Sequence, residues 1–362
     1  MPIYSIKNRL QENGIELSWS NIKYYTNKYD RGDFDDQIIP FIPETTDYTF
    51  KKITQENIDT IKNTLSTDPL QSGKDVHNLL MSMGSTASYA TIKTAITAAG
   101  FTSATPRYCQ LIRDANKLKR VDFCNTLIDN NDTMDDIIFT DETSVQLHQN
   151  KTHCYRPTGA LATMCPKPKH PLKIHVWAGI SRRGPTEIFL FEGIMKAPFF
   201  VTEILQNTLL PFKNQMYPDH HRFQQDNDPK HTSKLAKTFM KENNINWWDT
   251  WPSESPDLNP IEMVWANMKK QVARERPTTK DALIDVLLKF WKTHMTNAAC
   301  NRYIDHIYKV APVCVLLGGR ATGDIPNRLF TVDSENKSFQ FFNNMLKTPE
   351  IQKRANLLLP IQ

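Results

Sequence analysis

The hydrophobic pattern changes near residue 130, and this change limits the folds open to the chain. Before it, apolar residues recur at helical spacing, as in Ile58, Ile61 and Leu65. After it come short runs of strand length, at 137–141, 173–180, 186–191 and 222–226. Helical segments then follow. Strands first and helices later predict an α/β fold with a small mixed sheet, preceded by an all-α region.

The same pattern predicts the organisation of the chain. We predict a partial N-terminal helix-turn-helix at 1–29, an acidic linker at 30–53, a second helix-turn-helix at 54–105, a basic connector at 106–130, the α/β domain at 131–319 and a poorly packed C-terminal extension at 320–362. In the second unit, Thr54 and Ser88 are expected to cap helices, and Gly100 to end the last one. A plain three-helix bundle is equally consistent with this pattern.

Composition excludes several classes of function. The longest run without a charged or strongly polar residue, 310–319, is too short to span a bilayer, and the start of the chain has no signal-peptide core. Only 12 glycines stand against 22 prolines, and Ser72-Gly73-Lys74 lacks the upstream glycine of a nucleotide-binding P-loop. The six cysteines form no C-x-x-C pair, so free thiols are favoured over a zinc site at His153, Cys154 and Cys165.

Basic residues are concentrated in one segment, although the net charge of the whole chain is only +5. Between Lys93 and Arg120 there are six bases and one acid. The last helix of the second unit, which contains Lys93, carries short polar and basic side chains on its outward face. Such side chains can contact DNA phosphates and base edges. The predicted DNA contacts are Tyr89, Thr91, Lys93, Thr94, Thr97, Arg107, Arg113, Lys117, Lys119 and Arg120. Ordinary solvated helix faces are the alternative interpretation.

Three acidic residues stand where a sheet brings side chains together. Asp141 and Asp226 each end a predicted strand, and Glu262 lies one turn into a later helix. Carboxylates at strand ends lie at the rim of a sheet, where open α/β folds bind ligands. Mg²⁺ takes oxygen ligands, and a pair of such ions suits phosphoryl transfer. The three acids therefore predict a metal site.

Each acid also has an ordinary structural interpretation. Asp141 is a typical turn residue at the end of a strand. Asp226 is typical of a turn that ends at a nearby proline. Asn259 suits a helix N-cap with Pro260 in the first position, which makes Glu262 a capping-box glutamate. Taken one residue at a time, both interpretations stay open.

The residues around the acids resemble transposases of the Tc/mariner superfamily. The similar stretches are FTDETS (139–144), PKHPLKIHVWAGIS (168–181), FEGI (191–194), QDNDPKHTS (225–233) and SPDLNPIEMVW (255–265). Weaker similarity extends back to Thr54 and forward to Gly319. The resemblance implies an RNase H-like catalytic domain behind helix-turn-helix DNA-binding units. It also implies that Asp141, Asp226 and Glu262 are the catalytic, metal-binding triad.

The resemblance further implies cut-and-paste DNA transposition with two Mg²⁺ or Mn²⁺ ions. Water cuts each end of the element, and the freed 3′-hydroxyl attacks target DNA at TA. The implied partners are double-stranded DNA with inverted repeats and further copies of the chain, as a homodimer or larger assembly. We expect a nuclear location, no nucleotide cofactor and no membrane partner.

Other residues of the motifs receive supporting roles. The resemblance implies that a set around the acids shapes the loop and the helix start, comprising Asn227, Pro229, His231, Asn259 and Pro260. Lys230 is predicted to contact DNA phosphate, and an ordinary solvated surface is the equally consistent alternative. Lys167, Lys169 and Lys173 are equally consistent with phosphate contacts and with an ordinary solvated surface.

Three features depart from the family pattern. Thirty-five residues separate Asp226 from Glu262, one more than in close relatives, with the insertion expected near 249–254. The acidic linker lacks the Gly-Arg-Pro-Arg hook of the family. Residues 5–28 resemble only the second and third helices of the family's first DNA-binding domain, as expected of a chain truncated at Met1.

Two alternative functions remain at this stage. One is a catalytically idle or host-adopted DNA-binding derivative of a transposase. It agrees with the short N-terminal unit but not with the three retained acids. The other is a different RNase H-like nuclease or integrase, which the helix-turn-helix pattern and the absence of a His/Cys zinc module disfavour.

Overall fold

The chain divides into two units, Met1–Tyr108 and Cys109–Gln362. A computed structural model describes residues 52–104, 109–147, 161, 164, 168–330 and 337–359 of the chain. The predicted N-terminal helix-turn-helix, nearly all of the acidic linker, the zinc alternative and the candidate contacts Arg107 and Lys167 lie outside these residues. None of the described helices is long and apolar enough to cross a membrane.

The described part of the first unit consists of helices around a small apolar core. They are α1 (Gln55–Thr67), α2 (Gly73–Ser82) and α3 (Tyr89–Ala98). Thr54 caps α1 through reciprocal hydrogen bonds with Asn57, and Ser88 caps α3, as predicted. The core residues come from these helices and from the segments just before two of them, and comprise Ile53, Ile61, Leu65, Val76, Leu80, Ala87, Ile92 and Ala95. This fold agrees with both interpretations made from the sequence.

The second unit opens with a helix and continues with strands and then helices. The first part holds α4 (Asp114–Asp129), β1 (Ile137–Gln146), β2 (Lys173–Ser181), β3 (Gly184–Pro185) and β4 (Phe189–Phe191). Next come α5, which combines Ala197–Phe199, a π-helix at Phe200–Leu209 and Leu210–Met216, then β5 (Arg222–Gln224) and α6 (Lys234–Glu242). The last part holds α7 (Ile261–Glu275), α8 (Lys280–His294), α9 (Asn297–Asp305), α10 (Ile307–Leu316), α11 (Phe339–Leu346) and α12 (Pro349–Leu358).

The described strands form one mixed sheet between two apolar layers. β1 pairs antiparallel with β2 and parallel with β5, while β3 and β4 pair with β2. Because side chains alternate along a strand, Ile137 and Phe139 enter the larger core and Ile138 enters the smaller one. The predicted α/β fold with a small mixed sheet is therefore confirmed.

The first strand is longer than its apolar run predicted. Asp141 does not end β1, because the strand continues to Gln146 and Asp141 pairs with Ala178 of β2. Parallel pairing with β5, however, ends at Phe139 and Gln224. Asp141 therefore lies just past the point where one neighbouring strand stops, which opens space beside its side chain.

Residues 114–129 belong to the core of the second unit rather than to a free connector. Phe123, Cys124, Leu127 and Ile128 of α4 are buried in the larger core. In the sequence these apolar residues follow closely spaced basic ones, so the segment was predicted to be a basic connector.

The prediction that the C-terminal extension packs poorly is wrong for the described residues 337–359. Phe339, Phe342 and Leu346 of α11 are almost fully buried, and Ile351 and Ala355 of α12 join the same core. The apolar face of α11 repeats every three to four residues, so local spacing alone contained this signal.

His221 makes the stability of the second unit dependent on pH. The side chain is buried, and its Nε2 accepts a hydrogen bond from the Asn246 amide at 3.0 Å. Burial lowers the pKa of His221 from 6.5 to about 4, and the positive charges of Lys213 and His220 act in the same direction. The folded state therefore holds His221 neutral, whereas the unfolded chain protonates it.

We expect the free energy of unfolding to fall as the pH drops from about 6.5 towards about 4. The contribution of His221 is complete above its unfolded pKa, so the loss from about pH 7 to about pH 5 is roughly 2 kcal/mol. Denaturant unfolding at both pH values measures it. His221→Gln retains a hydrogen-bond acceptor but cannot titrate, so its free energy of unfolding should fall less between these two pH values. Equal pH dependence in both proteins would contradict the assignment.

Candidate active site

Strand pairing brings the first two acids to one edge of the sheet. Thr140 of β1 donates a hydrogen bond from its amide to Gln224 Oε1 at 2.9 Å, and its hydroxyl donates to the Gln224 carbonyl at 2.7 Å. These bonds fix the end of β5 beside β1. Asp226, two residues after Gln224, therefore emerges next to Asp141.

The loop after β5 is organised around Asp226. The Asp228 amide donates to Asp226 Oδ1 at 3.1 Å, which forms a local turn. His231 bridges two acids, because its Nδ1 lies 2.5 Å from Asp226 Oδ1 and its Nε2 lies 3.0 Å from Glu142 Oε1. The imidazole is 3% exposed and packs on the ring of Phe200, with the centroids 4.3 Å apart. His231 thus links the loop to β1.

A tight turn presents Glu262. A short 3₁₀ helix, Pro256–Leu258, precedes Asn259, whose side-chain amide donates to the Thr140 carbonyl at 3.2 Å. This bond ties the start of α7 to β1. The Asn259 amide donates to the Pro256 carbonyl rather than to the Glu262 carboxylate. Glu262 is therefore not the capping-box residue of the alternative interpretation, and Pro260, not Asn259, occupies the N-cap position.

The predicted triad lines one open cavity of about 460 Å³. Its walls come from the turn before α4, β1, the loop after β5 and the turn before α7. The polar lining residues include Gln110, Arg113, Asp141, Glu142, Gln224, Asp226, Asn227, Asp228, Ser253, Glu254, Ser255, Asn259 and Glu262. Of the residues predicted to support the triad, Asn227 and Asn259 line the cavity, Pro260 begins α7, and His231 contacts Asp226 from behind.

Burial and neighbouring charges set the protonation of the cavity. Burial raises the pKa of Asp141 well above its usual range, and the charges of Glu262, Glu142 and Asp226 raise it further. Burial also raises the pKa of Glu262. Burial acts in the same direction on Asp226, but the hydrogen bond and charge of His231 outweigh it, so the pKa of Asp226 is lowered.

His231 carries a positive charge at neutral pH. Burial by itself would lower the pKa of His231, but hydrogen bonds to Asp226 and Glu142 raise it to about 9. The imidazolium therefore compensates the charge of Asp226 directly, while repulsion between acids is concentrated on Asp141.

The donor set of the cavity fits a hard divalent cation in type. Asp141, Asp226 and Glu262, with Glu142 beside them, offer the carboxylate oxygens that Mg²⁺ and Mn²⁺ prefer. A bound cation relieves the repulsion that raises the pKa of Asp141. Among the described residues, no three His, Cys, Asp or Glu side chains already stand close enough to hold a metal ion.

The predicted DNA contacts of the first unit are accessible. Tyr89, Lys93, Thr94 and Thr97 are exposed on α3, and Thr91 is half-buried. The outward face of α3 is therefore polar and solvated, as the sequence predicted. Its contact with DNA remains a prediction.

The predicted DNA contacts of the second unit divide into free and engaged groups. Arg120 has no exposed surface and binds Asp257, so its assignment as a DNA contact is wrong. Lys230 is bound to Asp228 at 2.9 Å. The remaining groups keep solvent access: Lys119 is exposed, Lys117 pairs with Asp114, Arg113 pairs with Glu254, and Lys169 and Lys173 are exposed.

Sequence reasoning missed two participants of the site. Glu142 follows Asp141 directly but was passed over, although both line the cavity. Asp257 was also passed over, although it stands in the motif that contains Glu262. The only local signal was the presence of both residues inside the quoted family stretches.

Comparison with known proteins agrees with this geometry. Residues 136–284 match the family of DDE superfamily endonucleases. The chain is 35% identical to the Tcb2 transposase of Caenorhabditis briggsae over 119 residues, 33% of this chain and 43% of that protein. It is 29% identical to the Tc1 transposase of Caenorhabditis elegans over 191 residues, 51% of this chain and 69% of that protein. The first of these matches thus spans less than half the length of the relative.

A solved structure extends the comparison to the fold. The Mos1 mariner paired-end complex with Mn superposes with a TM-score of 0.64 at 17% identity, covering 87% of this chain and 92% of that one. At this identity the match speaks for the fold alone, which is RNase H-like.

The fold and the site together define an RNase H-like domain with an acidic cavity of the DDE type. Two observations indicate the kind of DDE protein. One is the set of motifs around Asp141, Asp226 and Glu262, and the other is that the matched relatives are named as transposases. Residues 136–284 match the DDE superfamily endonucleases, and the chain is similar to transposases of the Tc/mariner superfamily. The resemblance inferred from the sequence is therefore confirmed.

Proposed function

We propose that the chain is a DNA transposase that cuts an element from double-stranded DNA and joins it to a target. The observation that carries the proposal is the cavity in which Asp141, Asp226 and Glu262 meet, inside the segment that matches DDE endonucleases. The matched relatives are named as transposases, which supports the same activity.

The site residues have distinct roles in this proposal. Asp141, Asp226 and Glu262 hold divalent cations, and Mg²⁺ or Mn²⁺, bound as a pair, would supply Lewis-acid chemistry at the phosphate. His231 and Asn259 orient the acids through their hydrogen bonds to Asp226 and Thr140. The reaction breaks a P–O bond of the DNA as a water or a 3′-hydroxyl oxygen attacks the phosphorus.

DNA binding is assigned to the helical unit and to the accessible bases of the second unit. The exposed polar face of α3 supports this assignment. The proposal extends to inverted repeats as the recognised sequence, TA as the target, a dimer or larger assembly as the active form, and the nucleus as the location. The solved Mos1 relative is described as a paired-end complex, which supports an assembly of this kind.

The alternative is a derivative that binds DNA without cutting it. The burial of Asp141 among other acids argues against this alternative, because such a cluster is costly to keep and useful only with a cation. A different RNase H-like nuclease is disfavoured by the transposase relatives.

A cleavage assay tests the proposal. We expect the purified chain to nick supercoiled DNA with Mg²⁺ or Mn²⁺ and to be inactive in chelator. Asp226→Asn should lose nicking by about a thousandfold, because each 1.4 kcal/mol of lost transition-state stabilisation is roughly tenfold and a metal contributes several kcal/mol. Asp219→Asn makes the same charge change on an exposed turn outside the cavity and should cut normally.

Binding to the same DNA separates the alternatives. If wild type and Asp226→Asn are equally inert but both bind DNA, the binding-only derivative replaces the proposal. Affinity should decrease steeply with added salt, because phosphate contacts release counterions. Affinity independent of salt would contradict the assigned DNA contacts.

A further inference from the structure

A buried ion pair stands directly behind the turn that presents Glu262. Arg120 of α4 is fully buried, and its Nη1 and Nη2 donate to the two carboxylate oxygens of Asp257 at 2.8 and 2.7 Å. Asp257 is the middle residue of the 3₁₀ helix Pro256–Leu258, five positions before Glu262. The pair thus joins a helix far away in the sequence to the turn of the third acid.

The remaining donors of Arg120 hold the surrounding backbone. Its Nε donates to the Gly319 carbonyl at 2.9 Å, and its Nη1 also donates to the Glu254 carbonyl at 3.2 Å. Glu254 and Asp257 both lie in the segment that leads into α7, at the start and in the middle of its turn. The planar guanidinium therefore fixes both parts of this turn at defined angles, as its forked donor geometry allows.

Asp257 is held from a second direction by Thr322. The Thr322 amide donates to Asp257 Oδ2 at 2.9 Å, and the Thr322 hydroxyl lies 3.0 Å from the same oxygen. The loop that carries Thr322 approaches α4 closely at Gly319, where φ is +78° and an added Cβ would stand 2.1 Å from the Lys117 carbonyl oxygen. Only glycine permits this approach.

A surface contact strengthens the same connection. The Arg113 amide and Nε donate to the two carboxylate oxygens of Glu254 at 2.9 and 2.7 Å. Arg113 and Glu254 both line the carboxylate cavity. The turn before α7 is thus bound to the α4 region twice, by Arg113 at the cavity wall and by Arg120 in the interior.

Stability alone does not account for so many bonds to one largely buried carboxylate. Removing two charges from water costs several kcal/mol, and apolar side chains of similar volume often stabilise a core as well or better. What the pair provides instead is a fixed orientation of the turn. Glu262 lies three residues beyond Asn259, whose side chain is hydrogen-bonded to the Thr140 carbonyl, so the orientation of this turn sets where the Glu262 carboxylate enters the cavity.

We propose that the Arg120–Asp257 pair is a positioning device that holds the turn before α7 so that Glu262 can share a divalent cation with Asp141 and Asp226. The inference rests on the proposed function only in treating Glu262 as a cation ligand. Arg120 and Asp257 touch neither cation nor DNA; they act through the backbone of the turn.

Affinity for Mn²⁺, without DNA, tests the proposal. Asp257→Asn should raise the dissociation constant for Mn²⁺ about 10–100-fold, the usual effect of losing a group that orients a ligand. Free Mn²⁺ is counted by its electron paramagnetic resonance signal, and the melting temperature is measured in chelator. Thr322→Val, which leaves the arginine in place, should weaken Mn²⁺ binding by a smaller factor.

Asp305→Asn is the matched control. Asp305 pairs with the mostly buried Arg182 at 2.5 Å, and neither residue lines the cavity. This variant should lower the melting temperature without changing Mn²⁺ affinity. If Asp257→Asn does not fold, Thr322→Val decides the question by itself.

The outcomes separate this proposal from the proposed function. Asp257→Asn or Thr322→Val with the Mn²⁺ affinity of wild type would overturn the positioning role, as would a wild type that binds no Mn²⁺. An equal loss of affinity in Asp305→Asn would also overturn it, because general destabilisation would then explain the effect. A wild type that binds Mn²⁺ but cuts no DNA would refute the transposase activity. The Mn²⁺ affinities of the variants would still decide whether the pair has a positioning role.

Discussion

Asp141→Asn is expected to reduce DNA cleavage about a thousandfold and, in the absence of metal, to raise the melting temperature. Burial and the charges of Glu262, Glu142 and Asp226 raise the pKa of Asp141, so the ionised side chain destabilises the metal-free fold. Asparagine removes that charge, and its Oδ1 can still accept the 2.7 Å hydrogen bond from the Glu142 amide. The gain should be about 1 kcal/mol, or roughly 2–4 °C for a domain of this size.

Saturating Mn²⁺ should reverse the order of the melting temperatures, so that wild type becomes more stable than Asp141→Asn. A ligand at a hundred times its dissociation constant stabilises the folded state by about 2.7 kcal/mol, and the variant lacks the ligand that secures this gain. Cleavage by the variant should fall about a thousandfold. The measurements are thermal unfolding with chelator and with Mn²⁺, and nicking of supercoiled DNA.

Asp219→Asn provides the comparison, since it removes one negative charge from an exposed turn. It should change neither the effect of metal nor the rate of cleavage. A variant at Asp141 that melts below wild type in chelator would show that the acid is part of an ordinary stabilising network. Retained cleavage would remove Asp141 from the triad.

Local signals were sufficient for much of the fold. Thr54 and Ser88 cap their helices as expected because capping depends on residues only three positions apart. β2 was placed nearly to the residue, since its continuous apolar run marks a strand buried on both faces. Most of these features are decided within one or two turns of chain.

Features that depend on distant partners were not predictable in the same way. The polar second half of β1 is a strand because β2 pairs with it along its whole length, which the apolar run 137–139 does not reveal. Arg120 appeared to be one more base in a basic segment, because its carboxylate partner lies 137 residues further along the chain. Charge patterning detects solvated groups, and a buried ion pair leaves the same pattern.

The candidate site shows the same division. The motifs around Asp141, Asp226 and Glu262 led to the triad, and the structure brings all three to one cavity. The role of His231 as a bridge to Glu142 required the fold, since the two residues are 89 positions apart. The motif suggested that His231 matters, and only the geometry shows what it holds.

Phe342→Ala is expected to cost about 3–5 kcal/mol of unfolding free energy, the usual range for a buried phenylalanine. Phe342 is 1% exposed and packs edge-on against Phe330, with the ring centroids 5.1 Å apart. Lys309 Nζ also lies 5.4 Å from the centroid of the Phe342 ring. Truncation leaves a cavity in the core that α11 shares with α10 and α4, so the loss should extend to the whole second unit.

Phe341→Ala tests whether burial is the cause. Phe341 is the adjacent residue of α11, carries the same side chain and is only partly buried, so its truncation should cost clearly less than that of Phe342. Denaturant unfolding measured by tryptophan fluorescence compares the two variants, because Trp251, Trp265 and Trp291 lie in the same core. Equal, small losses would mean that α11 is an accessory helix. A large loss confined to Phe342 would make the C-terminal helices part of the folding unit that carries the acids.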